Sequence, residues 1–261
     1  MTWPHRHDEL ELNLVLRGTA AYLLGDTRYD LRRHGLVWLF PGQEHLFLIC
    51  SEDYCAYVLV FKPQLLAQTC RTPGSETLRQ SDPAGHFCKP LPAEKAAVLG
   101  ELFARIAEGS DPELFNAGLG YALLLAWDAY LTTAEAAPGT ALHPAVEQVV
   151  RRLQEEMEPE TVEALARRVG LSASHLSRLF GQQMGMTLTD FRNTKRMERF
   201  LRLLQTQPKL NLGQAALEAG FGSYAQFYCV FLQHMGCSPA AYRADPNGQR
   251  SRTGQRPQAG F

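Results

Sequence analysis

His5, His7 and Glu11 stand close together in His5-Arg-His7-Asp-Glu-Leu-Glu11, near the start of this 261-residue chain. Alternate side chains of a strand face the same way, so these three project into one interior, where His45 of Pro41-Gly-Gln-Glu-His45 can join them from a neighbouring strand. Three imidazoles and a carboxylate suit zinc, iron, nickel or manganese, and donor type does not choose among them. Because single histidines more often serve structure or surface, the four are a candidate metal set. Asp8, Asn13, Arg17, Tyr22, Trp38 and Phe47 are candidates to line a pocket beside it, with plain core packing as the alternative for each. His34, His86, His143, His175 and His234 have no partner spacing.

The second half of the chain repeats itself. Ala166-Arg-Arg-Val-Gly170 recurs fifty residues later as Ala216-Leu-Glu-Ala-Gly220; beyond the extra Gly222, Ser172/Ser223, Leu176/Phe227, Phe180/Phe231, Gly185/Gly236, Phe191/Tyr242 and Arg192/Arg243 pair at an offset of fifty-one. Each copy reads as helix, glycine turn, serine N-cap and second helix, with small Ala where two short helices cross. Ser174, Ser177 and Arg178 are left outward on the first copy. Thr187 to Leu204 reads as one long connecting helix, with Met197, Leu201 and Leu204 inward and Arg192, Lys195, Arg196, Arg199 and Arg202 mostly outward. Arg192, Lys195, Arg196 and Arg243 are candidates for phosphate contacts or for capping salt bridges. An ordinary helical bundle is the plainer reading, but it does not require matched caps, turns and closing segments in both copies.

The elements that hold these residues differ between the halves. From Glu11 to Phe61 short apolar runs alternate with turn residues, which predicts an antiparallel sandwich or barrel. From about Ala93 to Leu131 the period becomes helical: Val98, Leu99, Leu102, Phe103 and Ile106 share one face, and Leu119, Leu123, Leu124 and Trp127 another. Ala134-Glu-Ala-Ala-Pro-Gly-Thr140 has no face to bury. The expected fold is therefore α+β: a sheet-rich domain with two following helices over 1–132, a linker over 133–142, an all-α domain over 143–245, and a disordered tail over 246–261.

Composition fits two globular domains, at 45% hydrophobic and 20% charged residues. No apolar run approaches the roughly 18 residues of a membrane helix, and the first residues offer no signal peptide, so a cytoplasmic protein is expected. The six cysteines form no C-x-x-C pair and read as reduced, mostly buried thiols. The net charge of −1 hides a split: residues 1–141 carry 11 basic and 17 acidic side chains, and 142–261 carry 15 and 10. Only the second half suits a polyanion.

Residues 143–243 resemble the DNA-binding domain of AraC-type transcription regulators, through Ala219-Gly-Phe-Gly-Ser-Tyr-Ala-Gln-Phe-Tyr228 and Met235-Gly-Cys-Ser-Pro-Ala-Ala-Tyr-Arg243. The resemblance implies base-reading positions at Ser172, Ser174, Ser177 and Arg178 on the first recognition helix, and at Ser223, Tyr224, Ala225, Tyr228 and Cys229 on the second. Arg178 can present two donors to guanine. Cys229 stands where the family commonly has Arg, so the second unit is expected to contribute less direct readout. Residues 5–61 resemble the two cupin motifs: H-x-H-x3-E-x6-G is complete from His5 to Gly18, and Gly42-x2-His45 is intact although Phe40 replaces a usual Pro. AraC-type regulators often carry such a domain as their effector sensor.

The resulting expectation is a cytoplasmic, non-enzymatic regulator binding double-stranded DNA, a small-molecule effector and a possible divalent metal, dimeric through the helices over 93–131. A metal-dependent cupin enzyme, an oxygenase or isomerase with a DNA-binding appendage, is the alternative. A third reading makes the first half purely a dimerisation module.

Overall fold

The computed structural model describes residues 9–155 and 160–244. The chain divides into two compact units between Leu142 and His143. The first contains β1 (Leu10–Arg17), β2 (Ala20–Leu24), β3 (Thr27–Leu31), β4 (Gly35–Leu39), β5 (His45–Cys50), β6 (Cys55–Phe61), α1 (Pro63–Thr69), a 3-10 turn (Pro73–Arg79), β7 (Phe87–Pro90), α2 (Ala93–Glu108), α3 (Pro112–Leu131) and β8 (Gly139–Ala141). The strands form two four-stranded antiparallel sheets, ordered β6-β1-β4-β7 and β5-β2-β3-β8.

The sequence of β1, Leu-Glu-Leu-Asn-Leu-Val-Leu-Arg, explains this layering. Successive side chains leave opposite faces of a strand. Leu10, Leu12 and Leu14 are fully buried in one core with Leu99 and Phe103 of α2 and Leu123, Ala126 and Trp127 of α3. Val15, on the other face, joins Val37, Leu39 and Cys88 from its own sheet and Ala20, Tyr22, Leu24 and Leu31 from the second. Glu11 and Asn13 share that inner face.

Register also moves one expected pocket residue. Leu12 pairs with Trp38 and Asn13 with Val37, so Trp38 lies on the helix side of its sheet. Its ring meets Trp127 edge-on at 5.6 Å, and it is completely buried. Trp38 is core and lies on the face of its sheet away from Glu11 and Asn13. Arg17 is exposed and donates from Nε to the Asp53 carbonyl, so it too lies off the buried inner face.

The stretch expected as linker contributes to the first unit. Gly139–Ala141 adds β8 to the edge of β3, and a side chain at Gly139 would press to 2.6 Å from Thr27 and 2.9 Å from the Tyr29 ring. Lys89 closes the end of α3 by donating to the carbonyls of Tyr130 and Thr133, at 2.9 and 2.7 Å; a cation suits the negative end of a helix. The helical faces are narrower than expected: Leu99, Phe103, Leu123 and Trp127 are buried, whereas Val98 and Leu124 are exposed. All six cysteines are free thiols, but only Cys70 and Cys88 are buried, which corrects the expectation of mostly buried thiols.

The second unit is helical: α4 (Pro144–Glu155), α5 (Val162–Arg168), α6 (Ala173–Met184), α7 (Leu188–Thr206), α8 (Leu212–Glu218), α9 (Tyr224–Met235) and α10 (Pro239–Ala244). Helix α7 packs against α4 and α6 and also against α8. Its Phe191 meets Phe180 of the first copy at 5.5 Å, and its Phe200 meets Phe227 of the second at 4.4 Å. One helix thus anchors both copies. Residues 245–261, including the expected disordered tail, lie outside the described residues.

Candidate nucleic-acid interface and sensor interior

Both copies of the repeat fold by the same local chemistry. Thr161 caps α5 by accepting from the Ala164 amide, and Asn211 caps α8 by accepting from Gly213. Gly170 (φ +71°) and Gly220 (φ +94°) then take the left-handed conformation that glycine adopts without steric cost. The amides of Leu171 and Phe221 return to the carbonyls of Ala166 and Ala216, closing each turn. Ser172 and Ser223 cap the second helices, accepting from His175 at 3.3 Å and Gln226 at 3.1 Å. Gly185 and Gly236 end those helices at φ +70° and +67°.

Burial then fixes which face is presented. Leu176 and Phe180 hold α6 inward, as Phe227 and Phe231 hold α9, all completely buried. Ser172, Ser174, Ser177 and Arg178 are exposed together on α6 and its cap; Ser223, Tyr224, Ala225, Tyr228 and Cys229 are exposed together on α9 and its cap. Exposed His175 belongs to the first surface and was missed by the sequence reading, although its place beside Ser174 in the turn after the cap was a usable signal.

The cations of α7 require a correction. Arg192, Lys195, Arg196 and Arg199 are half-buried, because α7 is covered by helices of both copies; only Arg202 is fully outward. Lys195 reaches Glu198 at 3.4 Å, with 11% and 14% of the two side chains exposed, and lies 5.7 Å from the Phe191 ring. Burial lowers the Arg196 guanidinium from its ordinary value, with neighbouring Arg192 and Arg199 adding to the effect. Arg196 also lies over the Phe221 ring at 5.8 Å. Arg243 donates to the carbonyls of Leu210 and Pro208, tying α10 to the loop before α8. These partners are uncharged carbonyls, so Arg243 fastens the fold by hydrogen bonds and not by the capping salt bridge that was one of its two expected roles.

In the first unit, the inner face brings five expected residues together. Tyr22 pairs with Phe47 and Leu24 with His45, so all four side chains share the face opposite Glu11 and Asn13. Asn13, 1% exposed, donates from Nδ2 to Glu11 Oε1 at 2.8 Å, and its Oδ1 has no hydrogen-bond partner among the described residues. Tyr22 stands edge-on to Phe47 at 5.1 Å, and its hydroxyl lies 3.5 Å from that of Tyr54. Burial pushes the Tyr22 phenol well above its usual range, and Tyr54 and the Glu11 carboxylate reinforce the shift. Tyr54, 5.6 Å from Phe47, joins this set from a turn whose fold the sequence pattern did not indicate.

His5, His7 and Asp8 lie outside the described residues. Among those described there is no group of three or more His, Cys, Asp or Glu placed to hold a metal ion. His45, 7% exposed, has Nδ1 3.0 Å from the Gln43 carbonyl. A carbonyl only accepts, so in the neutral ring Nδ1 carries the proton and Nε2 the lone pair. This suits metal ligation, where the second ring nitrogen is commonly held by such a bond.

A two-sheet sandwich followed by two helix-turn-helix units defines a two-domain DNA-binding protein. Residues 1–124 match the AraC-like ligand binding domain and residues 165–245 a helix-turn-helix domain. The chain is 25% identical over 257 residues to the HTH-type transcriptional regulator YfiF of Bacillus subtilis (strain 168), covering 92% of this chain and 78% of the relative. It is 22% identical to the HTH-type transcriptional activator RhaR of Escherichia coli O139:H28, covering 92% and 86%. The crystal structure of ToxT from Vibrio cholerae O395 aligns over 94% of this chain and 93% of its own at 14% identity, with a TM-score of 0.39. The chain belongs to the AraC-type DNA-binding transcription regulators. Among the described residues, no helix is long and apolar enough to cross a membrane.

The Arg243 contacts generate a test that separates fastening from phosphate binding. Arg243→Ala is expected to lower stability by about 2 kcal/mol, the scale of a charged hydrogen bond to a carbonyl, in urea unfolding. The slope of log affinity against log salt should stay unchanged; a slope shallower by about one would instead assign Arg243 to a phosphate.

Proposed function

We propose that the second unit reads two stretches of major groove on one side of double-stranded DNA, and that the first unit is a homodimeric, non-enzymatic effector sensor. The observation that carries the DNA geometry is the matched pair of capped, glycine-turned recognition helices, each exposing its own set of residues. Helix α7 has 19 residues, a length of about 28 Å at 1.5 Å per residue. That is comparable to the roughly 34 Å between successive major grooves on one side of the duplex. A protein of this kind works in the cytoplasm, where its DNA is.

The inner face supports a small-molecule site. Asn13, Tyr22 and Phe47, with Tyr54, combine an unpaired buried acceptor with aromatic surface, the mixture that orients a ligand in an apolar pocket. The same interior supports a cupin-type metal centre in which Glu11 and His45 would be completed by His5 and His7. The bound Nδ1 of His45 favours it. Catalysis has no part in this reading, since YfiF and RhaR bear the names of regulators.

Dimerisation through α3 is supported by a seam on its outer face. Leu114, Ala117, Tyr121, Leu124, Asp128 and Leu131 alternate in steps of three and four and are all exposed. This is the spacing of a two-helix contact, and exposed apolar surface of this kind marks an interaction site.

Three measurements test these parts. Arg178→Ala should cost about 1–3 kcal/mol in discrimination at a single G·C pair, read by competition binding with operator variants; a uniform loss across all sequences would place Arg178 on the phosphates. Metal analysis of untagged protein should find one equivalent of divalent metal, lost in His45→Ala. Absence of metal from a folded, DNA-binding preparation would remove that centre. Tyr121→Glu should convert the dimer to a monomer in sedimentation without lowering the unfolding midpoint of the monomeric chain.

A further inference from the structure

We propose that the second recognition helix selects its half-site through the 5-methyl groups of thymine, using the uncharged face formed by Ala225 and Cys229 between Tyr224 and Tyr228. The proposal rests on the DNA-binding reading above and adds the chemistry of recognition.

Tyr224, Ala225, Tyr228, Cys229 and Leu232 recur at the helical period, so they form one continuous stripe along α9. All five are exposed, Tyr224 by 44%, Tyr228 by 38% and Leu232 by 44%. Phe227, Val230 and Phe231 occupy the opposite, buried face. Neighbouring Gln226 turns its Oε1 back to accept from the Gly222 amide at 3.1 Å. The stripe therefore holds no charged side chain. Its counterpart on α6 presents Ser174, His175, Ser177 and Arg178.

Ala225 and Cys229 are one helical turn apart, so their small side chains adjoin and let the helix approach closely. The Tyr224 and Tyr228 rings stand 6.4 Å apart, and Tyr224 is braced 5.5 Å from Phe227. Thymine is the base that offers an apolar group in the major groove; guanine offers the acceptors N7 and O6. Ala225 has no donor and the Cys229 thiol only a weak one, so a guanine facing these two would lose water from its acceptors and leave them unpaired, which is unfavourable. The occupant follows from continuity with the helix-turn-helix match, since α9 repeats α6 with the same cap and the same closing glycine.

The test uses the full chain and duplexes selected by it from a random library. The half-site of the first unit is identified as the one whose base preference relaxes in Arg178→Ala. In the other half-site, replacing thymine by deoxyuridine, which lacks only the methyl, should weaken binding about fourfold per contacted base. The same replacement in the first half-site should have little effect. Cys229→Ser and Ala225→Ser, both at exposed positions, should bring the thymine-to-uracil ratio towards one with an unchanged melting temperature. Equal affinity for thymine and uracil duplexes, or a second half-site that depends on guanine, overturns the proposal. Equal affinities joined to a loss of transcription in Tyr228→Ala overturn it too, and assign the face to a protein. Failure to select any sequence removes the DNA-binding reading itself, a result distinct from the others.

Discussion

The DNA-binding unit depends on the crossing of two helices that are each too short to persist alone. Helices α5 and α8 have seven residues, well below the length at which isolated helices are stable in water. They persist because Ala166 and Ala216, fully buried, let a partner helix approach closely, and because Gly170 and Gly220 reverse the chain without a side chain in the way. Each turn delivers its serine to the start of the next helix, where it satisfies an amide that would otherwise lack a partner. The angle of each recognition helix, and so the surface it exposes, follows from these contacts.

Helix α7 converts two such units into one. Two of its aromatic side chains, Phe191 and Phe200, insert into the cores of different copies. A helix flanked on both sides has little free surface for its cations. Long side chains then lie along the packed faces with their stems buried, as Lys195 does between Glu198 and the Phe191 ring. Rigidity between the recognition helices is thus gained with the same residues that composition alone suggests for holding phosphates.

Local signals in the sequence were reliable where the cause was local. Serine caps, glycine turns and the alternation of β1 could be read directly, because each reflects chemistry within four or five residues. The surface role of the α7 cations could not, since their burial is decided by separate helices, α4, α6 and α8, that fold back onto α7. Trp38 shows a sharper limit: alternation placed it on one of two faces, but only its pairing with Leu12 says which. Gly139–Ala141 looked like linker because it lacks an apolar face; as an edge strand whose three residues are all exposed, it needs none. Of the inner-facing set, Glu11 and His45 were legible from motif spacing and Asn13, Tyr22 and Phe47 only as residue types, whereas Tyr54 arrives through a turn.

Strand β1 joins the two faces of the sensor unit. Its inner face carries Asn13 and Glu11, which belong to the proposed small-molecule and metal sites, and its outer face carries Leu10, Leu12 and Leu14, packed in one core with α2 and α3. These leucines are wholly buried in a close-packed layer, and such layers change between discrete arrangements more readily than they deform. A ligand biases such an equilibrium only through contacts that differ between the states. The unpaired Oδ1 of Asn13 is a group that can supply that difference, since donating to it recovers a buried hydrogen bond. Because these leucines and the buried face of α3 belong to one core, with β1 packed on α2 and α2 on α3, a ligand inside the sandwich and a partner on α3 would act on one shared layer.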